Sequence, residues 1–222
     1  MSAGSASQRT LSASHEELGR LGSATVYEAS GRRGMVDLTL AQVIAGSRAC
    51  GPARTVLCGQ GDNLMVHAVM DRAQPGDVLV LTMPEPEPVA LIGDLLATQA
   101  KARGVAALLV DAAVRDSEEL RALGLPIWAR WIRVRGATKR AVGAIDEPVE
   151  VGGAPIRPGD AVVLDADGVA VVAGERLEAV LKASREREEA ERVKRARLEA
   201  GELSYDLDGL RATVEGDPRD DR

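Results

Sequence analysis

The run from Gly93 to Asp116 (GDLLATQAKARGVAALLVDAAVRD) constrains the fold more than any other stretch of this chain. Asp94 opens a helical pattern, Val105 to Val110 is an apolar run short enough for a buried strand, and Arg115-Asp116 fall just beyond that strand's carboxyl end. Open α/β sheets place their ligands at such strand ends. A carboxylate at a helix start and an Arg-Asp pair after the next strand can therefore face one pocket.

Elsewhere the chain reads as one large domain with a tail. Residues 1 to 13 are small and polar, the pattern of a loose extension. Ser14 and Glu17 then form a Ser-x-x-Glu capping box, which predicts a helix start with Leu18 and Leu21 on one face. Arg48 to Cys58 reads as a bent or edge strand, broken by Gly51-Pro52. Gly61-Asp62-Asn63 caps a helix running to about Ala73, and Pro75-Gly76-Asp77 turns the chain into a strand from Val78 to Leu81. The alternating prolines of Met83 to Pro88 dictate a stiff extended loop.

After Ser117 to Leu123, read as a helix, the pattern changes. Short β runs at Leu125–Ala129, Pro148–Val151, Ala161–Leu164 and Val169–Val172 are separated by Gly and Pro-Gly-Asp turns. A strict βα repeat is lost there, so two sheets layered between helices fit better than a doubly wound sheet. Glu175 to Ala200 is helical and increasingly charged, with Glu188–Arg192 and Glu191–Arg195 at i,i+4 spacing. A helix that polar is expected to pack on a neighbouring subunit. Residues to 210 keep apolar side chains suited to docking, and 211–222 read as disordered.

Composition excludes several classes of function. The formal charge is -6, and aromatic residues make up 2% of the chain with no Phe, so a nucleic-acid surface is not expected. The one basic run, Arg130 to Arg140, reads better as a strand edge or subunit contact. Cys50 and Cys58 match neither a zinc nor a redox spacing. The chain shows neither a membrane-length apolar segment nor a signal-peptide core, the pattern of a cytoplasmic protein.

With only His15 and His67, a three-histidine zinc centre is impossible. Carboxylates completed by water and substrate oxygens suit Mg²⁺ or Mn²⁺, with Asp116 and Asp94 as candidates. Each also has a plain reading as a helix cap. Arg115 can hold a carbonyl or carboxylate, or simply pair with Asp116 or Asp111. The amides of Leu95 and Leu96, at a helix start, attract an anion. Together these describe a pocket for a small 2-oxo acid that would stabilise an enolate. Rival chemistries lack support: Lys101 is the one lysine near this unit, no base accompanies a Ser or Cys, and Gly59-Gln60-Gly61 lacks the rest of a dinucleotide fingerprint.

Asp94 and Arg115-Asp116, twenty positions apart, resemble the Asp-x20-Arg-Asp signature of the 4-hydroxy-4-methyl-2-oxoglutarate/4-carboxy-4-hydroxy-2-oxoadipate aldolases of the RraA-like superfamily. Gly61-Asp62-Asn63-Leu64 with His67, Pro75-Gly76-Asp77, Gly124-Leu125-Pro126, Pro158-Gly159-Asp160, Asp165–Val169, Arg185–Glu188 and Ala200–Ser204 are similar to landmarks in the same order, over about residues 14 to 210. The resemblance implies an α/β fold, a four-layered α-β-β-α sandwich with a long C-terminal helix, assembled as a homotrimer or homohexamer. It implies a class II aldolase using Mg²⁺ or Mn²⁺ to cleave 4-hydroxy-2-oxo di- or tricarboxylic acids to pyruvate and a second 2-oxo acid, with oxaloacetate decarboxylation as a side activity. Asp116 would bind the metal, Asp94 would hold metal-bound water, and Arg115 would polarise the pyruvyl carbonyl. Gly93 and the Leu95 and Leu96 amides would grip the carboxylate. Glu28, and Glu202 from a neighbouring subunit, would position a proton-transferring water. The Glu- and Pro-rich Met83–Pro88 loop departs from the family pattern and bears on substrate choice. The same superfamily includes regulators that bind ribonuclease E, one alternative reading; a dedicated oxaloacetate decarboxylase is the other.

Overall fold

The computed structural model describes residues 13–215, so residues 1–12 of the extension expected at 1–13, and the tail 216–222, lie outside the described residues, while residue 13 is already helical. Two compact units divide the chain after Ser184.

In the first unit, a single nine-stranded sheet supplies both β layers. Its parallel part is built from β2 (Ala49–Leu57), β3 (Val78–Thr82), β5 (Ala107–Val114) and β6 (Ile127–Ile132), with β4 (Ala90–Ile92) also beside β5. Short antiparallel strands β1 (Ala41–Gln42) and β7 (Ala144–Ile145) border β6 and β2. The other end of β2 pairs antiparallel with β10 (Ala161–Leu164), which pairs with β11 (Val169–Val172). A separate hairpin joins β8 (Val149–Val151) to β9 (Ala154–Ile156).

The sheet can serve two layers because β2 changes partner in mid-strand. Ala49 to Pro52 face β10, and Ala53 to Leu57 face β3. The Gly51-Pro52 break read from the sequence sits at that change, but the strand is central rather than an edge. Gly51 is required there: a Cβ would lie 2.0 Å from the Gly76 carbonyl oxygen.

Side-chain alternation then assigns three cores. Val78, Val80, Ala107 and Leu109 point inward to meet Val162, Leu164, Val169 and Val171 between the two β layers. Leu79, Leu81, Leu108 and Val110 point outward and pack under helices α3 (Leu64–Val69), α4 (Asp94–Ala102) and α5 (Ser117–Leu123). On the far side, Ala161, Val163, Ala170 and Val172 pack with Leu18 of α1 (residues 13–21), Val26 of α2 (Ser23–Ala29), and Leu177 and Val180 at the start of α6 (Leu177–Glu199). The order is helix, sheet, sheet, helix, which is the expected four-layered sandwich. Runs apolar on both faces, such as Val78–Leu81, are buried on both faces.

Local differences from the sequence reading have physical causes. Ser14 lies within α1, not ahead of it, and donates its hydroxyl to a tertiary partner, Glu178, at 2.9 Å. Helix α3 ends at Val69 rather than near Ala73.

The second unit holds the remainder of α6 with α7 (Ser204–Leu207) and α8 (Leu210–Glu215). No described residue in it is buried. Arg187 pairs with Glu191, and Arg192 with Glu189 rather than Glu188. Residues 211–215, read as disordered, are helical in α8, where Arg211 binds Asp206 and Glu215 and covers Tyr205 at 4.7 Å. No helix among the described residues is long and apolar enough to cross a membrane.

Candidate active site

The length of β5 creates the site. Its first half pairs with β3 and its second half with β4, with Ile92 opposite Val114. Both chains leave the sheet at the same level, and the Arg115 amide donates to the Ile92 carbonyl at 3.0 Å. Gly93-Asp94 and Arg115-Asp116, distant in sequence, therefore emerge side by side.

Asp116 takes a left-handed backbone conformation (φ 59°, ψ 45°) at the entry to α5. Its side chain makes no capping bond to α5. Instead Oδ2 accepts the Asp94 amide at 3.1 Å, so the carboxylate rests on the positive end of α4. The cap of α4 is Gly93, and Asp94 is its first helical residue, so the plain capping roles do not describe either aspartate. Gly93 has an ordinary extended backbone, yet a Cβ there would lie 2.4 Å from Asp116 Oδ2 and 3.1 Å from Arg115 Nε. The missing side chain lets the two strand ends close on each other.

Arg115 Nε stands 3.6 Å from Asp116 Oδ2, with half of its side chain exposed. Asp111, the other partner considered for it, is held by Arg130 at 3.0 Å. Arg115 separates two depressions. One, of about 140 Å³, is lined by Asn63, His67, Ala90, Gly93, Asp94, Leu95, Leu96, Arg115, Ala137 and Lys139. The other contains Asp116, Ser117 and the 132–134 segment. The first intrahelical bond of α4 runs from Ala97 N to Gly93 O, so the Leu95 and Leu96 amides have no acceptor within the helix and remain as anion donors.

The remainder of the cleft lining was not legible locally. Lys139 arrives on a loop strapped to the start of α3: Asp62 Oδ2 accepts the Thr138 hydroxyl at 2.7 Å and the Arg140 amide at 2.6 Å, while the Asn63 amide donates to Thr138 O at 2.9 Å. Burial alone would raise the Asp62 pKa, but these bonds and the Leu64 amide outweigh it and hold the carboxyl at about 2. His67 faces the same cleft, its pKa pushed down by burial and then by the Lys139 charge. The sequence signals, a mid-helix histidine and a basic run, carried no information that the two would meet.

Other candidates fall elsewhere. Glu28 lies on α2, in the helical layer across both sheets, paired with Arg32 at 3.1 Å and not among the residues lining the cleft. Glu202 belongs to the second unit and pairs with Arg197. Lys101 donates to the Leu123 carbonyl, joining α4 to α5. Burial pushes the Cys50 and Cys58 thiols up to about 12, so neither is a ready nucleophile. The Met83–Pro88 loop is pinned by Gln60, which bonds Glu85 O and Glu87, and by Arg135 on Glu87; it does not line the cleft.

Comparison with known proteins agrees with this architecture. Residues 23–171 match the RraA-like family model described as Aldolase/RraA. A Halalkalibacterium halodurans protein provisionally named 4-hydroxy-4-methyl-2-oxoglutarate aldolase is 41% identical over 138 residues, covering 62% of this chain and 66% of that protein, just under two thirds of its length. Streptomyces coelicolor RraAS2, described as an unusual member of the RNase ES inhibitor RraA family, superposes with a TM-score of 0.74 at 31% identity over 82% of this chain and 95% of its own. A Pseudomonas syringae pv. tomato structure, with a TM-score of 0.77 at 24% identity over 86% and 94% of the two chains, shares the fold. On the extent of the family match, the chain belongs to the RraA-like Aldolase/RraA family.

Proposed function

We propose that this chain is a class II pyruvate aldolase that cleaves 4-hydroxy-2-oxo di- or tricarboxylic acids to pyruvate and a second 2-oxo acid, with oxaloacetate decarboxylation through the same enolate. The observation that carries the reading is the convergence of Arg115, Asp94, Asp116 and the free amides of α4 at one strand end.

The residues fit a divalent cation. Asp116 and Asp94 offer hard oxygen donors of the kind such ions take, and they meet where the Asp94 amide donates to Asp116 Oδ2. Mg²⁺ and Mn²⁺ are commonly held by one or two carboxylates and otherwise by water. Asp116 would hold the ion, with Asp94 beside it; when bound, such an ion supplies Lewis-acid polarisation of the substrate's oxo group.

The chain's own groups account for the remainder of the reaction. The Leu95 and Leu96 amides orient the C1 carboxylate, and Arg115 donates to the C2 oxygen. As the 4-hydroxyl proton departs, the C3–C4 bond breaks and its electron pair moves into the pyruvyl unit, placing negative charge on the oxygen that Arg115 faces. Protonation of C3 completes pyruvate, and Asp94 holds the water through which protons move. In oxaloacetate the same bond breaks with loss of carbon dioxide. Glu28, and Glu202 from a neighbouring copy, would join this proton path in a homotrimer or homohexamer.

The test is coupled pyruvate release from oxaloacetate and several 4-hydroxy-2-oxo acids, with and without Mg²⁺ or Mn²⁺. Release is expected to depend on the ion and to vanish in Asp116→Ala. The RraAS2 relative supports a second reading, a ribonuclease-binding regulator. Capture of a ribonuclease, with no pyruvate formed from any substrate, would favour it.

A further inference from the structure

We propose that His67 and Lys139 form a subsite for the second carboxylate of a 2-oxo dicarboxylic acid, making them the residues that select diacids over pyruvate-like monoacids. This deepens the aldolase reading and rests on its assignment of the Arg115 side to the 2-oxo acid.

The cleft has two chemically distinct walls. One carries Arg115, Asp94 and the α4 amides; the other carries His67 and Lys139, in a space of about 140 Å³. Roughly 10–15 Å³ of such space holds one water, so the cavity that both groups of residues line is large enough for one small acid. Lys139 is a cation with no carboxylate partner among the described residues. Its neighbours on both sides are fixed: Thr138 and Arg140 are both tied to Asp62, and Thr138 N donates to Gly61 O at 2.9 Å. A flexible surface lysine does not need its backbone clamped in this way. One whose ammonium must meet an anion at a set distance from Arg115 does.

His67 contributes a different kind of donor. Burial and the neighbouring Lys139 disfavour its protonation, so near neutral pH it offers a neutral N–H beside the single Lys139 charge. A monoanionic carboxylate bridging the two would be matched by one positive charge. A 2-oxo acid ending in a methyl group would leave Lys139 unmatched.

Calorimetric titration of the full chain with Mg²⁺ present, using 2-oxoglutarate as the diacid and pyruvate as the monoacid, tests this without requiring turnover. The wild type is expected to bind the diacid on the order of ten-fold more tightly. Lys139→Met and His67→Gln should each remove most of that preference while leaving pyruvate affinity within about two-fold. Lys139 is exposed, so its replacement leaves the core untouched. Equal wild-type affinities, no diacid binding, or variants that weaken both ligands alike would overturn the subsite. Lys139-dependent selection without pyruvate release from any hydroxy-oxo acid would instead sink the aldolase reading and leave the subsite standing.

Discussion

Gly93→Ala isolates the geometry of the site from the stability of the fold. The backbone at Gly93 (φ −132°, ψ −172°) is open to any residue, so alanine meets no conformational penalty. Loss of glycine at the helix cap costs about 1 kcal/mol, and the stiffer unfolded chain returns roughly 0.4–1 kcal/mol. The melting temperature should therefore move by no more than about 4 °C. The site is affected differently. The new Cβ would stand 2.4 Å from Asp116 Oδ2, against a closest normal approach of about 3.0 Å. The carboxylate would have to retreat by at least about 0.6 Å, and Arg115 Nε and Cγ, at 3.1 and 3.3 Å, limit the room on the other side. That retreat stretches the 3.1 Å bond from the Asp94 amide and displaces the proposed cation ligand. Misplacement on the order of 1 Å costs on the order of 100-fold in rate. Pyruvate release at saturating substrate and Mg²⁺, with melting followed by circular dichroism, gives both quantities. A variant retaining more than half of the wild-type kcat would refute the role given to this contact, and so would loss of activity through unfolding.

Two further outcomes follow from the loop that carries Lys139. The Asp62 carboxyl, held at about 2 against its usual 3.8, contributes stability that is full above 3.8 and lost as pH falls toward 2, on the order of 2 kcal/mol. Denaturant midpoints measured between pH 5 and 2, at about one-unit steps, should show that loss in the wild type and a flatter profile in Asp62→Ala; parallel profiles would contradict it. Lys139→Met should raise the His67 pKa toward its ordinary value without reaching it, because burial remains. Imidazole titration by NMR reads this directly, and an unchanged or lowered value would show that the two side chains do not face each other.

The layering was legible because the βα repeat gives way after Leu123 to short β runs between Gly and Pro-Gly-Asp turns, a pattern that fits two layered sheets better than a doubly wound one. The pairing of Asp94 with Arg115-Asp116 was legible too, since a helix start and a strand end separated by one helix and one strand lie at the same sheet edge. What closes them together was less visible. Nothing local announces that Ile92 pairs with Val114, or that Gly93 is small for the sake of Asp116 rather than for a turn. Lys139 was hidden for a related reason: its place depends on Asp62, 77 positions earlier, and long-range hydrogen bonds leave no periodic trace. Glu28 shows the converse, a residue singled out by resemblance that one chain keeps in a different layer.

Exchange of the pyruvate methyl protons with deuterated water reports enolate formation at the proposed Arg115 and Asp116 site without any aldol substrate. With Mg²⁺ present, proton NMR should show loss of the methyl signal at a rate set by the wild-type protein. Arg115→Ala and Asp116→Ala should each slow it by on the order of 100-fold or more. No exchange by the wild type with Mg²⁺ or Mn²⁺, or undiminished exchange in both variants, would rule out an enolate site built on Arg115 and Asp116.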